Sequence, residues 1–289
     1  MNHTPFRSPI QRLRRYRPRR HPRYKGPSFN QIIPNLLTIA GLCAGLTSMR
    51  FALEGRFGSA AAAITAAAII DGLDGRLARL LNATSRFGAE FDSLSDFLCF
   101  GVAPGFTLYL WSLQRAGAYG YTPCLMFAVC MALRLARFNA ALDSAPKPAY
   151  SYNFFTGVPA PAGAGLVMFP LFLGLEAKSL GLAGLLAFTQ YPLVCAFMLI
   201  GTAVLLVSTL PVWSFKNFRI PSRYVLAVLL GTGLFVGLLI ADPWAALAAG
   251  GLIYVGMIPL SVRSFRRLRR DAELARGPDE PQSQALPQP

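Results

Sequence analysis

The residues best equipped for chemistry are carboxylates, and this chain has few of them. Of its 13 acidic residues, five (Asp71, Asp74, Glu90, Asp92 and Asp96) fall within one short stretch. Asp71 and Asp74 are spaced to share one helical face, and Asp92 and Asp96 share a face on the next helix. Residues 75–91 between them are few and polar enough to turn back, which lets the two pairs meet. Four negative charges within a few Å repel strongly, so they must protonate or hold cations. Oxygen ligands with no His or Cys suit a hard ion, Mg²⁺ or Mn²⁺, and four carboxylates accommodate one to two. Two such ions form a clamp for phosphoryl displacement. Ca²⁺ fits the ligand chemistry, but no Gly-spaced calcium loop is present. Gly75 and Ala78 are small residues beside the metal-facing positions, where a bulky ligand can approach the backbone. Arg79 offers a bidentate phosphate partner and Arg86 a second; the alternative for both is anchoring at the membrane surface. Glu90 lies on a different face from Asp92 and reads as a solvated loop charge.

The elements that position these groups follow from composition. The 289 residues are 54% hydrophobic and 14% charged, with mean hydropathy +0.43 and formal net charge +15. Soluble domains carry about 25% charge. Disorder, collagen, coiled coil and small disulfide scaffolds are excluded; what remains is an all-α polytopic membrane protein with basic ends. A spanning helix needs roughly 20 apolar residues. Eight segments qualify, at 32–52, 58–74, 92–113, 124–141, 157–175, 193–212, 224–240 and 244–262. The second is rich in Ala, which lets other helices approach and places it centrally. Gly41 and Gly45 form a packing face within the first. Four carboxylates facing lipid would cost on the order of 10 kcal/mol, so they must line a polar cavity at the ends of the second and third spans.

Lys and Arg set the orientation. With the N-terminus inside, 24 basic residues fall on the cytoplasmic side and four outside: Arg50, Arg56, Arg115 and Lys178. Both termini and the aspartates are then cytoplasmic, and the location is the inner membrane of a bacterium. The organisation reads as a basic tail (1–30), a catalytic membrane core (31–212), two further helices (213–263) and a partly disordered tail (264–289). The basic N-terminal arm is read as attracted to anionic lipid rather than nucleic acid. The five cysteines show neither zinc nor disulfide spacing. His3 and His21 sit in the tail, which removes His-based catalysis from the membrane body.

The motif Asp71-x₂-Asp74-Gly75-x₂-Ala78-Arg79-x₈-Gly88-x₃-Asp92-x₃-Asp96 resembles the signature of the CDP-alcohol phosphatidyltransferases, with every fixed position filled. These enzymes transfer a phosphatidyl group from a CDP-linked lipid to an alcohol, releasing CMP, with divalent metal in a membrane cavity. The resemblance implies that Asp71, Asp74 and Asp92 are metal ligands and that Asp96 is both ligand and general base. It implies contacts to the CDP-diacylglycerol donor from Gly75, Ala78, Arg79 and Ser85, and from Asn35 and Thr38 at the start of the first span. It also implies a six-helix core, two Mg²⁺ or Mn²⁺ ions and a homodimer, with the last two spans an addition.

Residues 132–139, containing Arg134, Arg137 and Asn139, and the stretch Phe154-Phe-Thr-Gly157-Val-Pro159-Ala-Pro161 resemble the bacterial and archaeal membrane-integral phosphatidylserine synthases. L-Serine as acceptor needs a cation for its carboxylate and an anion for its ammonium. Arg134 and Arg137, on one helical face, suit the carboxylate; the aspartates suit the ammonium, with Asn139 or Asn153 adding hydrogen bonds. The alternative is that both arginines only anchor the helix end. Glycerol 3-phosphate or inositol phosphate would use the same pair, so choline is the acceptor disfavoured most. The expected reaction is in-line displacement. A cation transporter is the rival class, but no carboxylate continues a path across the membrane from the cluster.

Overall fold

A computed structural model describes residues 29–142, 154–213 and 222–275. The basic tail, Lys147, Asn153 and the segment from 276 onward lie outside the described residues. All eight apolar segments form helices. Helix α1 (Phe29–Leu53) turns back into α2 (Phe57–Leu80), and α3 (Arg86–Asp96) continues through a π turn (Phe97–Val102) into α4 (Ala103–Trp111). A 3₁₀ turn leads to α5 (Gly117–Leu142), followed by strand β1 (Phe154–Thr156), α6 (Ala160–Ser179), α7 (Ala183–Thr189), α8 (Pro192–Val207), strand β2 (Pro211–Trp213), α9 (Ser222–Ala241) and α10 (Pro243–Ala275). Among the described residues six helices are long and apolar enough to cross a membrane; α7 and α8 form a seventh unit bent by 50°, and Val225–Ala241 is a shorter apolar helix.

Three features depart from the sequence expectation. Helix α6, not the Ala-rich α2, is the most enclosed, with 61% of its apolar window buried against 28% for α2. The small residues of α2 still serve close approach, since Ala60, Ala61 and Ala67 are fully packed. The sixth segment stops as a helix at Val207, because Pro211 cannot continue it, and β2 pairs antiparallel with β1, Phe155 opposite Val212. The third span is not uniformly α-helical. The Ala103 N–H reaches back five residues to the Leu98 carbonyl. Pro104 has no N–H, and its ring collides with the carbonyl four residues earlier, which opens the preceding turn. The extra residue of that turn follows Asp96 directly.

The core is built from Phe100, Leu108, Phe127, Met131, Met168, Leu171, Leu199 and Leu206, all fully buried. The α1 glycines pack inside the chain: Gly41 faces Ile70 and Ala67, while a Cβ on Gly45 would fall 2.5 Å from Cys99 Sγ. This close approach brings the start of α1 against the aspartate-bearing helices.

Candidate functional site

Asp71 and Asp74 come from the last turns of α2, and Asp92 and Asp96 from α3. One carboxylate oxygen from each of Asp71, Asp74 and Asp92 lies within 4.8 Å of the others. Asp96 stands beside this triad, at hydrogen-bonding range of Asp71. Asp74 is buried, only 4% exposed, and Thr38 donates a 2.7 Å hydrogen bond to its Oδ2 across 36 residues of sequence. A polar cavity of about 10 Å³, bounded by Thr38, Asp71, Asp74, Ser95 and Asp96, lies between them. That enclosed part is room for about one water or ion, and Asp92 stands outside it.

Among the described residues the four aspartates have no close ion-pair partner; Arg134 interacts with Asp96 without forming a salt bridge. The ion pairs among the described residues, Arg50–Glu54 and Arg56–Glu54, belong to the α1–α2 turn. Among the described residues no Lys or Arg nitrogen reaches ion-pairing distance of the four aspartates. Converging carboxylates without a salt-bridge partner fit a divalent cation: hard oxygen donors, with Asp71, Asp74 and Asp92 mutually close and the first two also lining a cavity of ionic size.

The surrounding residues hold α3 in place. Ser85 is the N-cap of α3, its Oγ accepting from the Gly88 N–H at 3.0 Å. A side chain at 88 would meet Asn35 Oδ1 and Ser85 Oγ at 3.1 Å, so the glycine of the motif gives both polar groups their space. Gly75 faces open space, and the exposed Arg79 folds back to donate from Nε to the Gly75 carbonyl at 2.9 Å. Ala78 is half-buried, and its carbonyl accepts from Ala83 in the turn leaving α2. Asn139 of α5 donates to Ser93 Oγ at 3.0 Å, tying that helix to α3 beside Asp92.

The two arginines of α5 part company. Arg134 donates to the Val158 carbonyl at 2.6 Å and interacts electrostatically with Asp96. Arg137 instead spreads over the end of α8, donating to the carbonyls of Val207 at 2.8 Å, Ser208 at 3.3 Å and Leu206 at 3.4 Å. Those carbonyls have no helical partner, and a guanidinium there satisfies them and the helix dipole together. Gly157 makes this possible. Its φ of +78° favours glycine, and a Cβ would sit 2.9 Å from the Leu206 and Ser208 carbonyls. The Phe154–Pro161 stretch is thus a bracket that seats both arginines. Sequence reasoning did not find Ser93, Ser95 or the Thr38–Asp74 bond, because each depends on contacts between distant segments.

Residues 31–207 match the family described as CDP-alcohol phosphatidyltransferase. The chain belongs to that family. Residues 223–259 match a second family, described as CDP-alcohol phosphatidyltransferase 2. A protein of Mycobacterium tuberculosis called CDP-diacylglycerol–serine O-phosphatidyltransferase is 39% identical over 244 residues, covering 84% of this chain and 82% of its own length. Proteins of the same name from Mycobacterium leprae (41% over 243 residues, 84% of this chain and 78% of the relative) and Helicobacter pylori (36% over 217 residues, 75% and 85%) are also similar. The phosphatidyltransferase signature therefore spans an aspartate cluster whose members meet in space, on two helices pinned by α1 and α5.

Proposed function

We propose that this phosphatidyltransferase moves the phosphatidyl group of CDP-diacylglycerol to the hydroxyl of L-serine, giving phosphatidylserine and CMP. The observation that carries the acceptor is similarity over 84% of the chain to a protein named for that reaction. The converging aspartates support the chemistry.

Asp71, Asp74 and Asp92, with Asp96 as a further ligand, would hold two Mg²⁺ or Mn²⁺ ions. Bound there, divalent ions neutralise the donor pyrophosphate and stabilise negative charge on departing CMP. Asp96 takes the proton from the serine hydroxyl. The alkoxide oxygen attacks the β-phosphorus bonded to diacylglycerol, and the bond to the CMP oxygen breaks in line with it. No histidine lies in the membrane body to carry a covalent phosphatidyl group. Thr38 fixes the rotamer of Asp74. Asn35, Thr38, Gly75, Ala78, Arg79 and Ser85 surround the CDP part of the donor. Arg134 pairs with the serine carboxylate, Asn139 adds a hydrogen bond, and Arg137 acts through the α5–α8 contact that keeps Arg134 in place. The protein is a homodimer in the bacterial inner membrane, with both termini and the site facing the cytoplasm.

The test is product formation by purified protein with CDP-diacylglycerol and Mn²⁺ or Mg²⁺, offering serine, glycerol 3-phosphate, inositol phosphate and choline in parallel. Phosphatidylserine only with serine is the expected result. Product from another alcohol alone would keep the aspartate roles and overturn the acceptor. No CMP with any acceptor would overturn the enzyme reading and favour cation transport.

A further inference from the structure

The two C-terminal helices lie beyond residues 31–207, and nothing in the mechanism above uses them. They wall an apolar cavity of about 250 Å³ together with α2 and α6. Its lining includes Ile64, Ala68, Gly165, Leu247 and Gly250, with Phe235 on α9 partly exposed. Two observations distinguish it from an ordinary lipid-facing furrow. Phe100, fully buried, lines both this cavity and the aspartate cavity, so the two share a wall. And its polar lining is specific. The Thr65 hydroxyl is satisfied by the Ala61 carbonyl at 2.9 Å, whereas the Tyr254 hydroxyl of α10 is buried without a hydrogen-bond partner. Tyr254 also interacts with Arg134, which in turn faces Asp96. Bulk hydrocarbon gives an unpaired hydroxyl nothing to bond; a molecule with an ester carbonyl at one end and a hydrocarbon chain beyond it does.

We propose that α9 and α10 complete an acyl slot: the cavity holds one fatty-acyl chain of the CDP-diacylglycerol donor, and Tyr254 donates to the ester carbonyl at its head. This rests on the transferase reading, which sets the donor's phosphates at the aspartates; the first ester of a diacylglycerol is only a few bonds from its phosphorus. The C-terminal pair thereby becomes a determinant of donor chain length.

Glycine positions give a test with little risk to folding. A Cβ on Gly165 meets nothing within 4 Å, and this residue lines the slot, so Gly165→Leu starts from open space and extends into it. Gly201 on α8 is equally open but lies outside the slot, so Gly201→Leu is the matched control. CMP release would be measured with CDP-dioleoylglycerol and with CDP-dihexanoylglycerol. Gly165→Leu is expected to lower kcat/KM about tenfold on the long donor and by less than twofold on the short one, with Gly201→Leu matching wild type on both. Tyr254→Phe should raise KM for the long donor about threefold or more with kcat unchanged. Equal losses on both donors, or none, would overturn the slot. A long-chain donor carrying a diazirine at the chain end gives a readout independent of turnover. Cross-links to α6 or α10, lost in Gly165→Leu, support the slot even if no acceptor yields CMP, in which case the transferase reading alone fails. Cross-links elsewhere, to a second copy of the chain, or to nothing overturn the slot, and normal CMP release in the same preparation leaves the reaction standing.

Discussion

Thr38 and Asp74 form the contact on which the proposed metal site leans most. A buried carboxylate held by a hydroxyl presents its oxygens in one direction, and hydrogen-bond partners behind a metal ligand typically matter about 10–100-fold for metal affinity. Thr38→Val is expected to raise the Mn²⁺ concentration for half-maximal activity by about tenfold or more, with Thr38→Ser close to wild type; an unchanged Mn²⁺ requirement would remove Thr38 from this role. Asp96→Asn should lower turnover by at least about 100-fold while donor binding, read by calorimetry, stays within a few-fold. Because three close carboxylates have no basic partner among the described residues, cation binding should also stabilise the fold. Mn²⁺ at about 100 times its dissociation constant would add about 2.7 kcal/mol, seen as a higher Tm that Asp74→Asn abolishes. At this scale the aspartates were legible because charge is rare in an apolar chain and two spacings put each pair on one face. Thr38 was legible only through a family likeness, since its partner lies 36 residues away.

Elements carry a different kind of information. Arg134 and Arg137 look equivalent in the sequence, on one face of one helix, and only the position of α8 separates them. Arg137→Ala should lower Tm by a few degrees, the loss of about 1 kcal/mol of charged hydrogen bonding at a helix end. Arg134→Ala should instead raise KM for serine with a smaller change in Tm. If Arg137→Ala moved KM for serine as much as Arg134→Ala, the division between them would be wrong. Gly45 is the matching case in α1: Gly45→Ala places a Cβ 2.5 Å from Cys99 Sγ and 3.3 Å from its Cα. The helix must back away from the π turn, at about 1–3 kcal/mol, measurable by thermal unfolding in detergent and relieved in part by Cys99→Ala. Hydropathy made the helices readable, and the prolines marked where they break. The β1–β2 pair was not readable, because its backbone hydrogen bonds join segments distant in sequence; Pro104 and Pro192 lie beside the π turn and the 50° bend between α7 and α8 but do not give their geometry.

The whole molecule is organised by the membrane. The surplus of Lys and Arg at both ends and beside the aspartates argues for one common side, so reporter tags at the N- and C-termini should both be shielded in intact inverted-receptor assays that report the periplasm, and accessible from the cytoplasm. Opposite locations for the two tags would require an odd number of crossings and a different arrangement of α7, α8 and α9. Phe100 belongs to a wall common to both cavities, with carboxylates lining one side and apolar side chains the other. A reactant that is half salt and half oil can span such a wall with each half already in its own solvent. Its two fragments then depart by separate doors, the water-soluble one toward the aqueous phase and the greasy one sideways into the bilayer, and neither need cross the other's medium to leave.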